Sequence, residues 1–345
     1  MSKKKKKFGT TKEGAEVTRY TITNKNGLSM SALDYGAIIS HLMVPDKNGT
    51  LDDIVLGFDN VAGYEVNGCF FGSFIGRHGN RIGDAKFVLN GKTYELEKND
   101  GKNNLHGGTP GYHKVMYQAS TTDNSVTFTR VSPDMEQGYP GNLDICVTYT
   151  LTDEDELRID YKMKSDQDTL CNPTNHSYFN LKGHNGGTIT DHKLYIKANG
   201  FTETTEDLIP NGTIVDVTGT PMDFRTKKPI SQDIEADYQP LKVAGGYDHN
   251  FVLDKKEGAL EKVGEVSEDT TGRTMEIYTD LPGMQLYSGN FIEKEDGKGG
   301  NVYTKRTGVC FETQYFPNSV NIPAFPSCVL KAGDEFTSTT IYKFI

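Results

Sequence analysis

Glu312 stands at the end of an apolar run, Gly308-Val309-Cys310-Phe311-Glu312-Thr313-Gln314-Tyr315-Phe316-Pro317. A carboxylate resists burial unless something replaces its water. Burial also raises a carboxyl pKa toward the range of useful proton transfer. Two histidines far upstream stand in equally unusual settings. His106 lies in Asn103-Asn104-Leu105-His106-Gly107-Gly108, and His176 in Asn172-Pro173-Thr174-Asn175-His176-Ser177-Tyr178-Phe179-Asn180. Imidazole gives or takes a proton near neutral pH. Together the three residues point to a polar acid–base site with no obvious metal or nucleophile.

Other polar residues could serve the same site. Arg81, in Gly79-Asn80-Arg81-Ile82-Gly83, offers five N–H donors suited to oxygen-rich ligands. Asp248 sits between Gly245-Gly246-Tyr247 and the strand-like His249-Asn250-Phe251-Val252-Leu253. It could accept hydroxyl hydrogen bonds or simply organise a turn. Gly107 and Gly108 could let a ligand approach the backbone closely. His106 could equally pin its own loop, and His176 could bond the flanking asparagines. Eight histidines are present, but no His-Glu-x-x-His or compact ligand cluster appears. Spacing alone does not decide whether His106, His176, Asp248 and Glu312 meet. The glycine-rich 72–83 segment lacks the phosphate-loop ending and the dinucleotide fingerprint. No Gly-x-Ser-x-Gly elbow supports a serine hydrolase.

The elements that must position these residues read mostly as strands. Residues 17–23, 38–44, 126–131, 144–151, 156–163, 194–198, 274–279, 285–288, 309–311 and 336–344 are rich in β-branched and aromatic side chains. Residues 87–96 form the clearest hairpin, with Asn90-Gly91 at its turn. A short helix is predicted over 231–238, before Pro240. Residues 293–300 read as an exposed, charged loop. Strands divided by Gly- and Asn-rich turns favour a sandwich or barrel over an alternating βαβ fold.

Composition narrows the function classes. The net charge of −10 argues against a nucleic-acid surface outside the lysine run Lys3 to Lys7. No apolar stretch is long enough to cross a bilayer, and no segment reads as a secretory signal. Five widely spaced cysteines fit neither a disulfide framework nor a zinc knuckle, so a reducing, cytoplasmic setting is expected. Residues 1–10 are expected to form a flexible lysine-rich tail, and residues 11–345 a single catalytic domain.

The ordered motifs resemble the aldose 1-epimerase, or galactose mutarotase, family. They are Gly76-Arg77-His78-Gly79-Asn80-Arg81-Ile82, Asn104-Leu105-His106-Gly107-Gly108, Pro173-Thr174-Asn175-His176-Ser177-Tyr178-Phe179-Asn180-Leu181, Gly246-Tyr247-Asp248-His249-Asn250 and Glu312-Thr313-Gln314. The resemblance covers nearly the whole chain. It implies an all-β fold, the large antiparallel β-sandwich (supersandwich) of the galactose-mutarotase type. It implies catalytic roles for Glu312 and His176, and substrate binding by His106, Arg81, Asp248 and Asn80. The implied reaction exchanges the α and β anomers of free aldohexoses such as galactose and glucose, without a cofactor or metal. Glu312 would be base toward the C1 hydroxyl and His176 acid toward the ring oxygen. The implied partner is the sugar, with no nucleic acid or membrane, for a monomer or homodimer. His78-Gly79 departs from the Tyr-Ala pair of many relatives, which leaves room to tune sugar preference. A hexose-6-phosphate epimerase, using Arg77 and Arg81 for phosphate, and a noncatalytic carbohydrate-binding protein are the alternatives.

Overall fold

The computed structural model describes residues 2–345 and is built almost wholly from antiparallel strands. The largest sheet has nine strands. At its centre Leu143–Leu151 pairs with Glu156–Ser165, which pairs with Glu335–Phe344. Alternation explains the pairing. Leu143, Ile145, Val147, Tyr149 and Leu151 are buried, while the residues between them face outward. The main core joins these side chains to Tyr20, Ile22, Met30 and Leu42 of a five-stranded N-terminal sheet. The Asn90-Gly91 hairpin forms as predicted, joining Lys86–Leu89 to Lys92–Glu95 through two residues with positive φ.

A second five-stranded sheet carries the chemistry. Its order is Pro210–Asp216, Ala198–Thr204, Asp248–Leu253, Gly283–Tyr287 and Cys310–Gln314. One face is apolar, and its Phe251, Met284, Leu286 and Phe311 join the main core. The opposite face places Asp248, Asn250, Gln285, Glu312 and Gln314 side by side, because Gln285 pairs with both Asn250 and Glu312.

Three expectations change. The lysine run is not a loose tail: Ser2–Thr10 is an edge strand, with Lys3 opposite Ile22 and Lys7 opposite Thr18. Pairing needs only the backbone, so the ammonium groups stay in water, and lysines on an edge discourage pairing with further strands. The short helix lies at Gln239–Ala244 instead of 231–238, where only Ile230–Gln232 forms a 3-10 turn. Pro240 occupies the first helical turn, where no backbone N–H is required, so it starts the helix and does not end it. The 293–300 segment is anchored by Lys298, which is 2% exposed. Its Nζ donates to the Ser40 carbonyl at 2.9 Å and to Asp53 Oδ2 at 2.5 Å. The partner carboxylate comes from the N-terminal sheet, so nothing local in the sequence announces it. All five cysteines are free thiols.

Candidate active site

Glu312 is central in its strand, directly across from Gln285. His176 ends the strand Thr174–His176, which pairs with Ser73–Ile75. The two side chains meet: His176 Nε2 lies 3.7 Å from Glu312 Oε1. That exceeds a hydrogen bond and leaves the pair poised around a gap. Glu312 Oε2 is buried and has no protein partner. Burial first, and then the neighbouring Asp248, pushes the Glu312 pKa well above the usual carboxyl value, while Arg81 opposes the shift. Burial lowers His176 to about 4. Both shifts favour the uncharged forms, a carboxyl and a neutral imidazole.

His106 is set by a reciprocal lock with Asn80. The His106 backbone N–H donates to the Asn80 carbonyl at 3.0 Å, and the Asn80 N–H donates to His106 Nδ1 at 3.1 Å. Both residues have positive φ, 51° and 60° respectively. With Nδ1 accepting, the neutral ring carries its proton on Nε2 and can donate to a ligand oxygen. Gly107 is required here for a different reason from the one expected. A Cβ would sit 2.3 Å from the Gly76 carbonyl, so the close approach is by the chain itself and not by a ligand.

Arg81 pairs with Leu105 across a two-stranded ribbon. Its Nε donates to Asp100 Oδ2 at 2.6 Å, and its Nη1 lies 4.0 Å from Asp248 Oδ2. The Asn80 side-chain oxygen accepts the Arg81 backbone N–H at 2.8 Å. Asp248 Oδ1 accepts from Gln285 Nε2 at 2.7 Å. Gln314 Nε2 in turn donates to Gln285 Oε1 and to Asn250 Oδ1, each at 3.1 Å. This amide chain fixes Asp248 and leaves its other oxygen toward Arg81. Sequence reasoning did not single out Gln285, Asn250 or Gln314 as site residues. Gln314 carried a signal, because a strand residue two beyond Glu312 shares its face. Gln285 and Asn250 depend on register between separate strands.

These groups line one cleft of about 540 Å³, a size typical of small-molecule sites. The cleft gathers Asn80, Arg81, His106, His176, Asp248 and Glu312 with Phe70, Tyr287 and Phe291. Two other candidates lie elsewhere. Arg77 is fully buried and donates to the Pro140 carbonyl at 2.7 Å, the Gly141 carbonyl at 3.0 Å and Ser132 Oγ at 2.7 Å, so it cannot reach a ligand phosphate. His78 is also buried and does not line the cleft, so it has no direct contact through which to tune sugar preference.

Ligand atoms of His106, His176 and Glu312 lie within 4.8 Å of one another, close enough to surround a metal ion. The Asn80 N–H holds the His106 proton on Nε2, however, so that nitrogen would present a hydrogen to a cation. The donor set suits hydroxyl groups better: one imidazole N–H donor, a guanidinium and two carboxyl groups. Fold and site together define an antiparallel β protein with a polar acid–base cleft, built to hold a small polyhydroxylated molecule.

The family model described as aldose 1-epimerase matches residues 18–343. Galactose mutarotase of Bos taurus is 42% identical over 340 residues, covering 98% of this chain and 97% of that protein. Aldose 1-epimerase of Escherichia coli (strain K12) is 34% identical over 336 residues, covering 96% of each. Among solved structures, an aldose epimerase homologue from C. elegans superposes with a TM-score of 0.87 at 31% identity, covering 94% of this chain and 98% of that one. Galactose 1-epimerase from Lactobacillus acidophilus NCFM gives 0.88 at 26% identity, covering 100% and 99%. The chain belongs to the aldose 1-epimerase family.

Proposed function

We propose that this protein interconverts the α and β anomers of free aldohexoses, galactose and glucose among them. The observation that carries the reading is the Glu312–His176 pair, 3.7 Å apart, with one Glu312 oxygen buried and unpartnered. The pair shares one proton. A bound sugar offering hydroxyl donors to Glu312 favours its carboxylate form, and the proton then resides on His176. Glu312 takes the proton of the C1 hydroxyl. His176 gives its proton to the ring oxygen as the bond from that oxygen to C1 breaks. The open-chain aldehyde turns about C1–C2 and presents its other face. Closure reverses both transfers and restores the starting pair. His106 Nε2–H and Arg81 supply donors to sugar oxygens where negative charge grows. Asp248 accepts sugar hydroxyls, and Asn80 holds both His106 and Arg81. Each positioned acid or base contributes on the order of 10²–10⁴-fold.

Electrostatics disfavour a hexose 6-phosphate. Asp100, Glu206, Asp207, Asp248 and Glu312 line the cleft, against Arg81 and Lys102 as its cations. Arg81 is engaged by Asp100, and Lys102 by Asp207 at 3.0 Å. The test is polarimetry on α-galactose, α-glucose and their 6-phosphates. Acceleration of the free sugars above buffer is expected. Acceleration confined to the phosphates, or sugar binding without acceleration, would overturn the reading. A cytoplasmic location and action as a monomer or homodimer complete the proposal.

A further inference from the structure

The acid role proposed for His176 gives its protonated ring no anion at Nδ1. That atom faces the Cys310 sulfur at 3.5 Å, a weak donor and acceptor. The surroundings of the ring faces are aromatic instead. Tyr178 lies nearly parallel to His176 at 5.0 Å and 29°, and Phe70 at 5.7 Å and 28°. Phe70 also packs against the rings of His106 and His113, each at 4.7 Å. It is half-buried and lines the cleft. Its φ is +60°, a left-handed conformation seldom adopted by a bulky side chain. Such strain persists where surrounding contacts over-determine it, and it clusters at functional sites. Here the Phe70 carbonyl accepts the Ser73 N–H at 3.0 Å, at the start of the strand that pairs with His176.

We propose that Phe70 is a positioning residue whose ring face supports the protonated imidazole of His176 during turnover. This rests on the acid role given to His176 above. The groups facing His176 are Glu312 at 3.7 Å, His106 with rings 5.2 Å apart, Cys310, Tyr178, and Tyr287 at 6.2 Å. His113 packs edge-on against Phe70 at 4.7 Å, and Arg81 and Asp248 share the cleft. Burial disfavours the imidazolium; the Glu312 carboxylate faces it at Nε2, while His106 and Arg81 offer it no negative charge. The electron-rich face of an aromatic ring attracts a cation without holding the proton as a fixed carboxylate at Nδ1 would. His176 can thus carry charge and still release its proton to the sugar.

The test replaces Phe70 with phenylalanines bearing one, two and three fluorines, which keep its shape while draining its ring face. Anomer exchange of α-galactose is then followed by NMR. A stepwise fall in kcat is expected, about tenfold across the series, with KM changing less than about twofold. Phe70→Leu is expected to lose at least as much kcat and to move the acid limb of kcat/KM to lower pH. Phe70→Tyr is expected to restore both. A flat kcat across the fluorinated series would overturn the proposal, and that series decides the matter if Phe70→Leu fails to fold. His176→Asn is measured alongside. If it keeps full turnover, the acid role falls and this inference with it. If it loses turnover while the fluorinated series stays flat, only the support by Phe70 falls.

Discussion

His176→Asn keeps a polar side chain of similar size and removes the proposed proton carrier. A loss of kcat on the order of 10²–10⁴-fold is expected, with a much smaller change in KM. Steady-state kinetics on α-galactose check it, and equal losses in binding and turnover would point to a structural role instead. The same pair sets the pH dependence. The proposed catalysis needs one proton on the two groups. Below about pH 4 His176 takes up a second proton, and no base remains. Above the raised pKa of Glu312 the pair loses its only proton, and no acid remains. A plateau of kcat/KM between the lowered His176 value and the raised Glu312 value is therefore expected, in place of an optimum at the ordinary histidine value. The sequence made the candidates visible because each is a polar residue in an apolar or glycine-rich setting. It could not supply their distances, nor the Asn80 N–H that fixes the tautomer of His106, because that contact joins residues on different loops.

At the scale of elements, the site depends on a sheet that is apolar on one face and polar on the other. Gln285 holds Asp248 from the neighbouring strand. Gln285→Leu removes that donor, and a rise in KM of about tenfold is expected, with a smaller effect on kcat. An unchanged KM would show that Asp248 is positioned by other contacts. Lys298 ties the 293–300 segment to Asp53 in the N-terminal sheet. Lys298→Met leaves a buried carboxylate unpaired, so a stability loss of about 3–5 kcal/mol is expected by urea unfolding. Adding Asp53→Leu should recover part of it. Strands with strict alternation, such as Leu143–Leu151, were legible because their period is their burial pattern. Ser2–Thr10 was not, because an edge strand can be fully charged when only its backbone is paired. The shift of the helix to Gln239–Ala244 has a similar origin. Proline is compatible with either end of a helix, and packing of Leu241 and Ala244 chooses between them.

For the whole molecule, all eight histidines are pushed below their ordinary pKa, with burial as the first cause in each. Unfolding exposes them, so between about pH 6.5 and 4 the unfolded chain binds more protons than the folded one. Glu312 works in the opposite sense, since it holds a proton in the fold that it would release on unfolding. Asp34, Asp248 and Asp280 are raised in the same sense, but four carboxyls do not balance eight imidazoles. Stability should rise with pH through this window, by about 1.4 kcal/mol per pH unit for each net proton. Urea midpoints at pH 5 and pH 7 check the sign, and a higher midpoint at pH 5 would contradict it. The fold brings strands far apart in sequence to a single cleft, and the proposed chemistry requires that Glu312 act there as base. The most direct measurement is NMR anomer exchange from α-galactose by Glu312→Gln, with galactose binding measured on the same sample. Exchange at the buffer rate with binding retained is the expected result. Exchange at the rate of the unmodified protein would contradict it.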